Sequence, residues 1–195
     1  MWRKKGALEK KGKEKGGNDL NAALVNAAYK GDASTLRRLV SKGANVNSRE
    51  KRTPMNYTAL MIAARLGHNA AVRALVDMHA RLYERNKPGH SALTLAVAKG
   101  HVDVIKTLLH AGACLGEKNK DRDTVLLWAA RCGQPDLVRT LIAAGASLEK
   151  RDNNGKTALQ LAIQLGRKKT AEILALATAT ERSGRKCTSV RPSWR

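Results

Sequence analysis

The chain has 195 residues, a formal net charge of +21, 43% hydrophobic residues, three cysteines and no phenylalanine. With aromatics at 3%, a core of thin Leu, Ala, Val and Ile layers is implied, and a core of stacked rings is excluded. Cys114, Cys132 and Cys187 have neither disulfide-framework nor zinc-ligand spacing, so reduced intracellular thiols are expected.

Residues 1–18 are rich in Lys and Gly without periodicity and read as a disordered basic arm. They lack the apolar run of a signal peptide, and no apolar stretch is long enough to span a membrane, so the expected location is cytoplasmic or nuclear. Residues 1–19 and 178–195 each carry a net +4, which leaves +13 on the intervening body. The charge therefore belongs mostly to the folded part, and it bears on partners rather than on fold.

From residue 19 the chain repeats itself. Ser91 to Ala113 shows the unit most clearly. A short apolar helix stops at Gly100, and a second helix carries Val104, Ile105, Leu108 and Leu109 on one stripe. Gly112 then sits where a helix C-terminus favours a left-handed residue. Helices this short need neighbours, and a period of 33 residues supplies them. Thr58, Ser91, Thr124 and Thr157 share a column, as do Leu60, Leu93, Leu126 and Leu159. Gly67, Gly100, Gly133 and Gly166 form another, and Leu75, Leu108, Leu141 and Leu174 a fourth. Such a period means a stacked solenoid. The pattern T-x-L-x-x-A-A-x-x-G-H-x-x-V-V-x-x-L-L-x-x-G-A resembles the ankyrin repeat.

The resemblance implies an all-α solenoid of about five helix-turn-helix repeats with β-hairpin loops, over residues 19–177. The repeats fall at about 19–52, 53–85, 86–118, 119–152 and 153–177. Repeat one lacks the opening threonine, and Asp19 is expected to cap its helix. As a terminal, capping repeat it should tolerate truncation of Leu36 better than an internal repeat tolerates truncation of Leu108. The step from Gly31 to Gly67 is three residues longer than the period, and the extra length falls in Ser48–Tyr57, a hairpin loop. His79 replaces the glycine found as Gly43, Gly112 and Gly145, and should be strained there. Repeat five lacks the closing Gly-Ala, and residues 178–195 read as a flexible basic tail.

No catalytic constellation, phosphate loop or metal-ligand spacing is legible, so neither an enzyme activity, a cofactor nor a small-molecule substrate is expected. His68 and His101 occupy the structural G-H position of the family pattern. The family's T-P-L-H tetrad reads TALM, SALT, TVLL and TALQ, so Met61, Thr94, Leu127 and Gln160 replace its histidine and an inter-repeat hydrogen bond should be missing. Trp128 shares a column with Ile62, Leu95 and Leu161, which points to burial in an inner layer. Asn47 lies where some ankyrin repeats are hydroxylated, but Asn45 stands in place of the usual acidic residue.

The resemblance also implies a protein partner on a concave face built from the first helices and hairpin tips, with the protein acting as a monomeric adaptor or scaffold. The residue pairs before the helix-ending glycines are Tyr29-Lys30, Arg65-Leu66, Ala98-Lys99, Arg131-Cys132 and Gln164-Leu165. Hairpin residues Lys87, Lys120 and Arg122 join the candidate set, beside the columns Arg49, Arg85, Lys118, Arg151 and Lys51, Lys87, Lys120. Lys30, Arg65, Lys99 and Arg131, about 10 Å apart if stacked, form a positive strip suited to an acidic segment. Mutual repulsion along it predicts that reversing these charges raises the melting midpoint slightly. Polyanion binding, to nucleic acid or an anionic membrane surface, is the alternative.

Overall fold

The structure, a computed structural model, describes residues 19–50, 53–118 and 123–182. Their secondary structure is ten helices without a strand, in five antiparallel-type pairs of consecutive helices. The chain divides into two compact units, Met1–Leu95 and Ala96–Arg195.

In the first unit, α1 covers residues 19–30, followed by α2 (Ala33–Ser41), α3 (Ala59–Leu66) and α4 (Asn69–Asp77). Here α4 packs against both α2 and α3. The unit boundary falls within α5 (Ala92–Lys99). The second unit continues with α6 (Val102–His110), α7 (Val125–Cys132), α8 (Pro135–Ala143), α9 (Ala158–Gln164) and α10 (Lys168–Arg182). There α7 packs on α8 and α9, and α10 on α8 and α9.

The column Thr58, Ser91, Thr124 and Thr157 starts the first helix of the last four pairs. Thr58 accepts from the Met61 amide at 3.3 Å, Thr124 from Leu127 at 3.5 Å and Thr157 from Gln160 at 3.4 Å. Ser91 does the same for Thr94 at 3.3 Å. These bonds satisfy amides that have no partner inside the helix. Met61, Thr94 and Leu127 are buried at the tetrad position, whereas Gln160 is exposed and completes a capping box by accepting from the Thr157 amide. Asp19 is already helical, so it does not cap α1; the position ahead of it lies outside the described residues.

Two readings of the repeat edges need correction. Leu36 is as fully buried as Leu108, because α4 covers it, so repeat one has no looser core at that position. The last helix also continues to Arg182, beyond the expected end of the repeats at 177. No glycine stops it, and the hydroxyls of Thr178 and Thr180 bond back to the carbonyls of Leu174 and Ala177. Trp128 is half-buried, whereas Ile62, Leu95 and Leu161 in its column are buried.

His79 takes a φ of 60°, matching the left-handed glycines at its repeat position. The lengthened loop is tied down rather than free. Glu50 donates its amide to the Tyr57 carbonyl at 2.7 Å, and Lys87 donates to the Met55 carbonyl at 3.0 Å. Arg49 bonds the carbonyls of Asn56 and Arg85 and pairs with Glu84.

Candidate partner-binding face

Each first helix delivers two candidate residues to its C-terminal end, and the structure gives them different jobs. Tyr29 donates its hydroxyl to both oxygens of Glu50, at 3.0 and 3.1 Å. Glu50 is buried and also accepts from the Thr53 hydroxyl. Burial, then the hydrogen bond and charge of Glu50, push the Tyr29 phenol above its ordinary range. The Arg65 guanidinium lies 5.2 Å over the Tyr57 ring. Arg131 donates from Nε and Nη2 to Asp123 Oδ2, at 3.2 and 2.9 Å, and its Nη2 stands 3.7 Å from Asp152 Oδ2. Gln164 accepts from the Lys156 ammonium.

A common register underlies these contacts. Arg65, Arg131 and Gln164 each meet the residue eight positions earlier, in the turn before their own helix. Tyr29 and Arg131 each meet an acid 21 positions later, in the following hairpin. In four of the five pairs the first member, Tyr29, Arg65, Arg131 or Gln164, is thus a brace between its helix and a turn or hairpin. The second members, Lys30, Leu66, Lys99, Cys132 and Leu165, are all exposed. The positive strip of the sequence reading is accordingly corrected at Arg131. Its charge is taken up by two carboxylates whose side chains are only 3% and 2% exposed. Reversing it would place a third anion beside them, which lowers stability instead of raising it.

Three of the helix-ending glycines lie against a side chain of the next repeat. At Gly31 an added Cβ would lie 2.7 Å from the His68 ring, at Gly100 2.9 Å from the Gln134 amide and at Gly133 2.5 Å from Arg167. His68 Nε2 is 3.0 Å from the Tyr29 carbonyl, and Arg167 Nε donates to the Arg131 carbonyl at 3.4 Å. His68, Gln134 and Arg167, each following a helix-ending glycine, therefore occupy the space that a side chain on the glycine of the preceding repeat would fill. This clasp supplies an inter-repeat hydrogen bond at a place other than the one vacated by the tetrad histidine. Sequence reasoning treated these glycines as helix stops and missed their second role.

Two of the hairpin arginines serve their own loops, whereas Arg49 reaches the next one. Arg85 bonds the Gly89 carbonyl at 2.8 Å, and Arg151 bonds the Gly155 carbonyl at 2.7 Å. Lys87 is exposed; Lys51, Lys120 and Arg122 lie outside the described residues. Asn47 accepts from the Arg81 amide at 2.8 Å, so its side chain carries a loop bond. Cys114 and Cys132 are free and exposed. Among the described residues no group of three or more His, Cys, Asp or Glu is arranged to hold a metal, and no helix is long and apolar enough to cross a membrane.

No curated protein matches the chain. The family model described as "Ankyrin repeats (3 copies)" matches residues 24–119 and 111–182. With the 33-residue columns, the capped helix pairs and a match over most of its length, the chain belongs to the ankyrin-repeat family.

Proposed function

We propose that this chain is a non-enzymatic adaptor or scaffold module, working as a monomer in the cytoplasm or nucleus, which binds an acidic segment of a partner protein. Ankyrin repeats are generally protein-interaction modules, typically without enzymatic activity. The observation that carries the reading is the exposure of the residue before every helix-ending glycine, with cations at Lys30 and Lys99 and apolar side chains at Leu66 and Leu165. Tyr29 and Arg65 stand beside the exposed residues of the first unit, and Arg131 and Gln164 beside those of the second; exposed Lys87 joins the candidate set, as do Lys120 and Arg122, which lie outside the described residues.

The net charge of +21 supports a second reading, polyanion binding to nucleic acid or an anionic membrane. The sequence has little of the aromatic surface on which single-stranded bases stack, which favours the protein partner. Charge reversal separates the two. Asp- and Glu-rich peptides, followed by fluorescence anisotropy at 0.15 M salt, should lose at least tenfold in affinity for Lys30→Glu/Lys99→Glu. The reversal Arg73→Glu/Lys106→Glu, on exposed second-helix positions, should stay within twofold. Equal losses in both variants would favour diffuse polyanion binding; no loss in either would remove the helix-end face from the site.

A further inference from the structure

The second unit contains three consecutive outward residues of this face, Lys99, Cys132 and Leu165. The clasps fix their register. Gly100 abuts Gln134, and Gly133 abuts Arg167, so the ends of α5, α7 and α9 lie at successive levels of one stack. Packed helices stand about 8–10 Å apart. A chain extended as polyproline II advances about 3.1 Å per residue and turns once in three, so every third side chain faces the same way. One repeat step therefore matches about three residues of an extended peptide.

Each level has a distinct electrostatic character. At the first, Lys99 is an exposed cation at the end of α5. At the second, Arg131 sits between Asp123 and Asp152, and Arg167 donates to the Arg131 carbonyl, so two cations stand against two carboxylates and the floor beneath Cys132 is balanced in charge. An acidic side chain at that level gains no net attraction, while a small or apolar one meets the exposed Cys132 side chain. At the third, Leu165 is 41% exposed and Ile163, on the same short helix, 63% exposed. The Ile163 position is occupied by Val97 and Ala130 in the two preceding repeats, and both are buried. The Lys156 ammonium, held on Gln164, leaves room for an acid flanking the apolar residue there.

We propose that Lys99, Cys132 and Leu165 read an extended partner peptide at three-residue steps: acidic against Lys99, uncharged and apolar against Cys132, apolar against Leu165. This rests on the protein-interaction reading above and adds the register, the side-chain order and the level at which an acid gains nothing. It makes Lys99 and Leu165 specificity residues and Arg131 a positioning residue that, with Arg167, neutralises the middle level.

The test uses the full chain and synthetic fluorescein-labelled peptides, followed by anisotropy at 0.15 M salt. One peptide carries Asp, Leu and Leu at positions 1, 4 and 7 of an otherwise Ser/Thr/Gly sequence. A second carries the same residues with Asp moved to position 4, and a third shortens the step to two residues. Each is also made in reversed order, so that either chain direction is sampled. The end-acid peptide at three-residue spacing should bind at least fivefold tighter than the other two. Lys99→Glu should weaken it at least tenfold, and replacing its Asp by Lys should restore binding to that variant. Leu165→Asp should also weaken it, while Lys106→Glu should leave it within twofold. Acidic peptides that bind regardless of spacing, acid position or Lys99 would overturn the register and leave the interaction reading standing. Failure of every acidic peptide to bind at millimolar concentration would overturn both.

Discussion

Arg131→Gln is the perturbation that bears most directly on the internal architecture of the face. The Arg131 side chain is 45% exposed, but the Asp123 and Asp152 side chains it serves are 3% and 2% exposed. Removing one partner of a fully buried pair costs about 3–5 kcal/mol, because the remaining charge stays desolvated. Exposure of the arginine brings this towards the surface-pair range of about 0–1 kcal/mol. An intermediate loss of about 1–3 kcal/mol follows. In a chain of this size 1 kcal/mol corresponds to about 2–4 °C in melting midpoint, so the variant should melt about 2–12 °C lower. A double-mutant cycle with Asp123→Asn isolates the pair: the two losses should be non-additive by about 1 kcal/mol or more. Urea melts followed by circular dichroism supply the data. Additive losses, or an Arg131→Gln variant as stable as the parent, would refute the brace and return Arg131 to the open face.

Leu36→Ala and Leu108→Ala should each cost about 2–5 kcal/mol, since both side chains are fully buried; a much smaller loss at Leu36 in urea melts would show that repeat one is loosely packed after all. Gly31→Ala should cost more than Gly43→Ala by about 1 kcal/mol or more, because both have positive φ but only Gly31 faces a neighbour. Equal losses would remove the clasp role from Gly31, and partial rescue by His68→Ala would support it. Asp32 caps α2 by accepting from Thr35 and Ser34, which hold its carboxyl well below the usual carboxylate range. A depressed folded value contributes stability above the unfolded value of about 4 and loses it as pH falls through the folded one. The stability gap between the parent and Asp32→Asn should therefore be largest near neutrality and shrink on acidification below about pH 4; a gap independent of pH would contradict the capping account.

What the sequence made legible was local or strictly periodic. Thr58, Thr124 and Thr157 announce their helices because a hydroxyl there has one geometric use, and the left-handed turn at His79 follows from the glycines in its column. Arg131 escapes the sequence reading because its partners stand eight residues before and 21 after it, at positions that Tyr57 and Asn86 hold around Arg65. The signal that could have found the brace was the appearance of aspartates in both positions, in the same repeats as the arginine. The glycine clasps were hidden for a related reason: the atom that matters at Gly31 or Gly133 is the absent Cβ, and what fills its place comes from the next repeat. The end of α10 escaped because loss of the repeat pattern was taken as loss of helix, whereas Ala175 and Ala177 with back-bonding threonines continue it.

The most direct measurement on the face as a binding surface is the alkylation rate of Cys132. Mass spectrometry of proteolytic fragments follows Cys132 and Cys114, both exposed, separately within one sample of the full chain. Saturation with the end-acid peptide at three-residue spacing should slow modification of Cys132 at least tenfold and leave Cys114 unchanged. An unchanged rate at Cys132, or equal slowing at both thiols, would contradict the account.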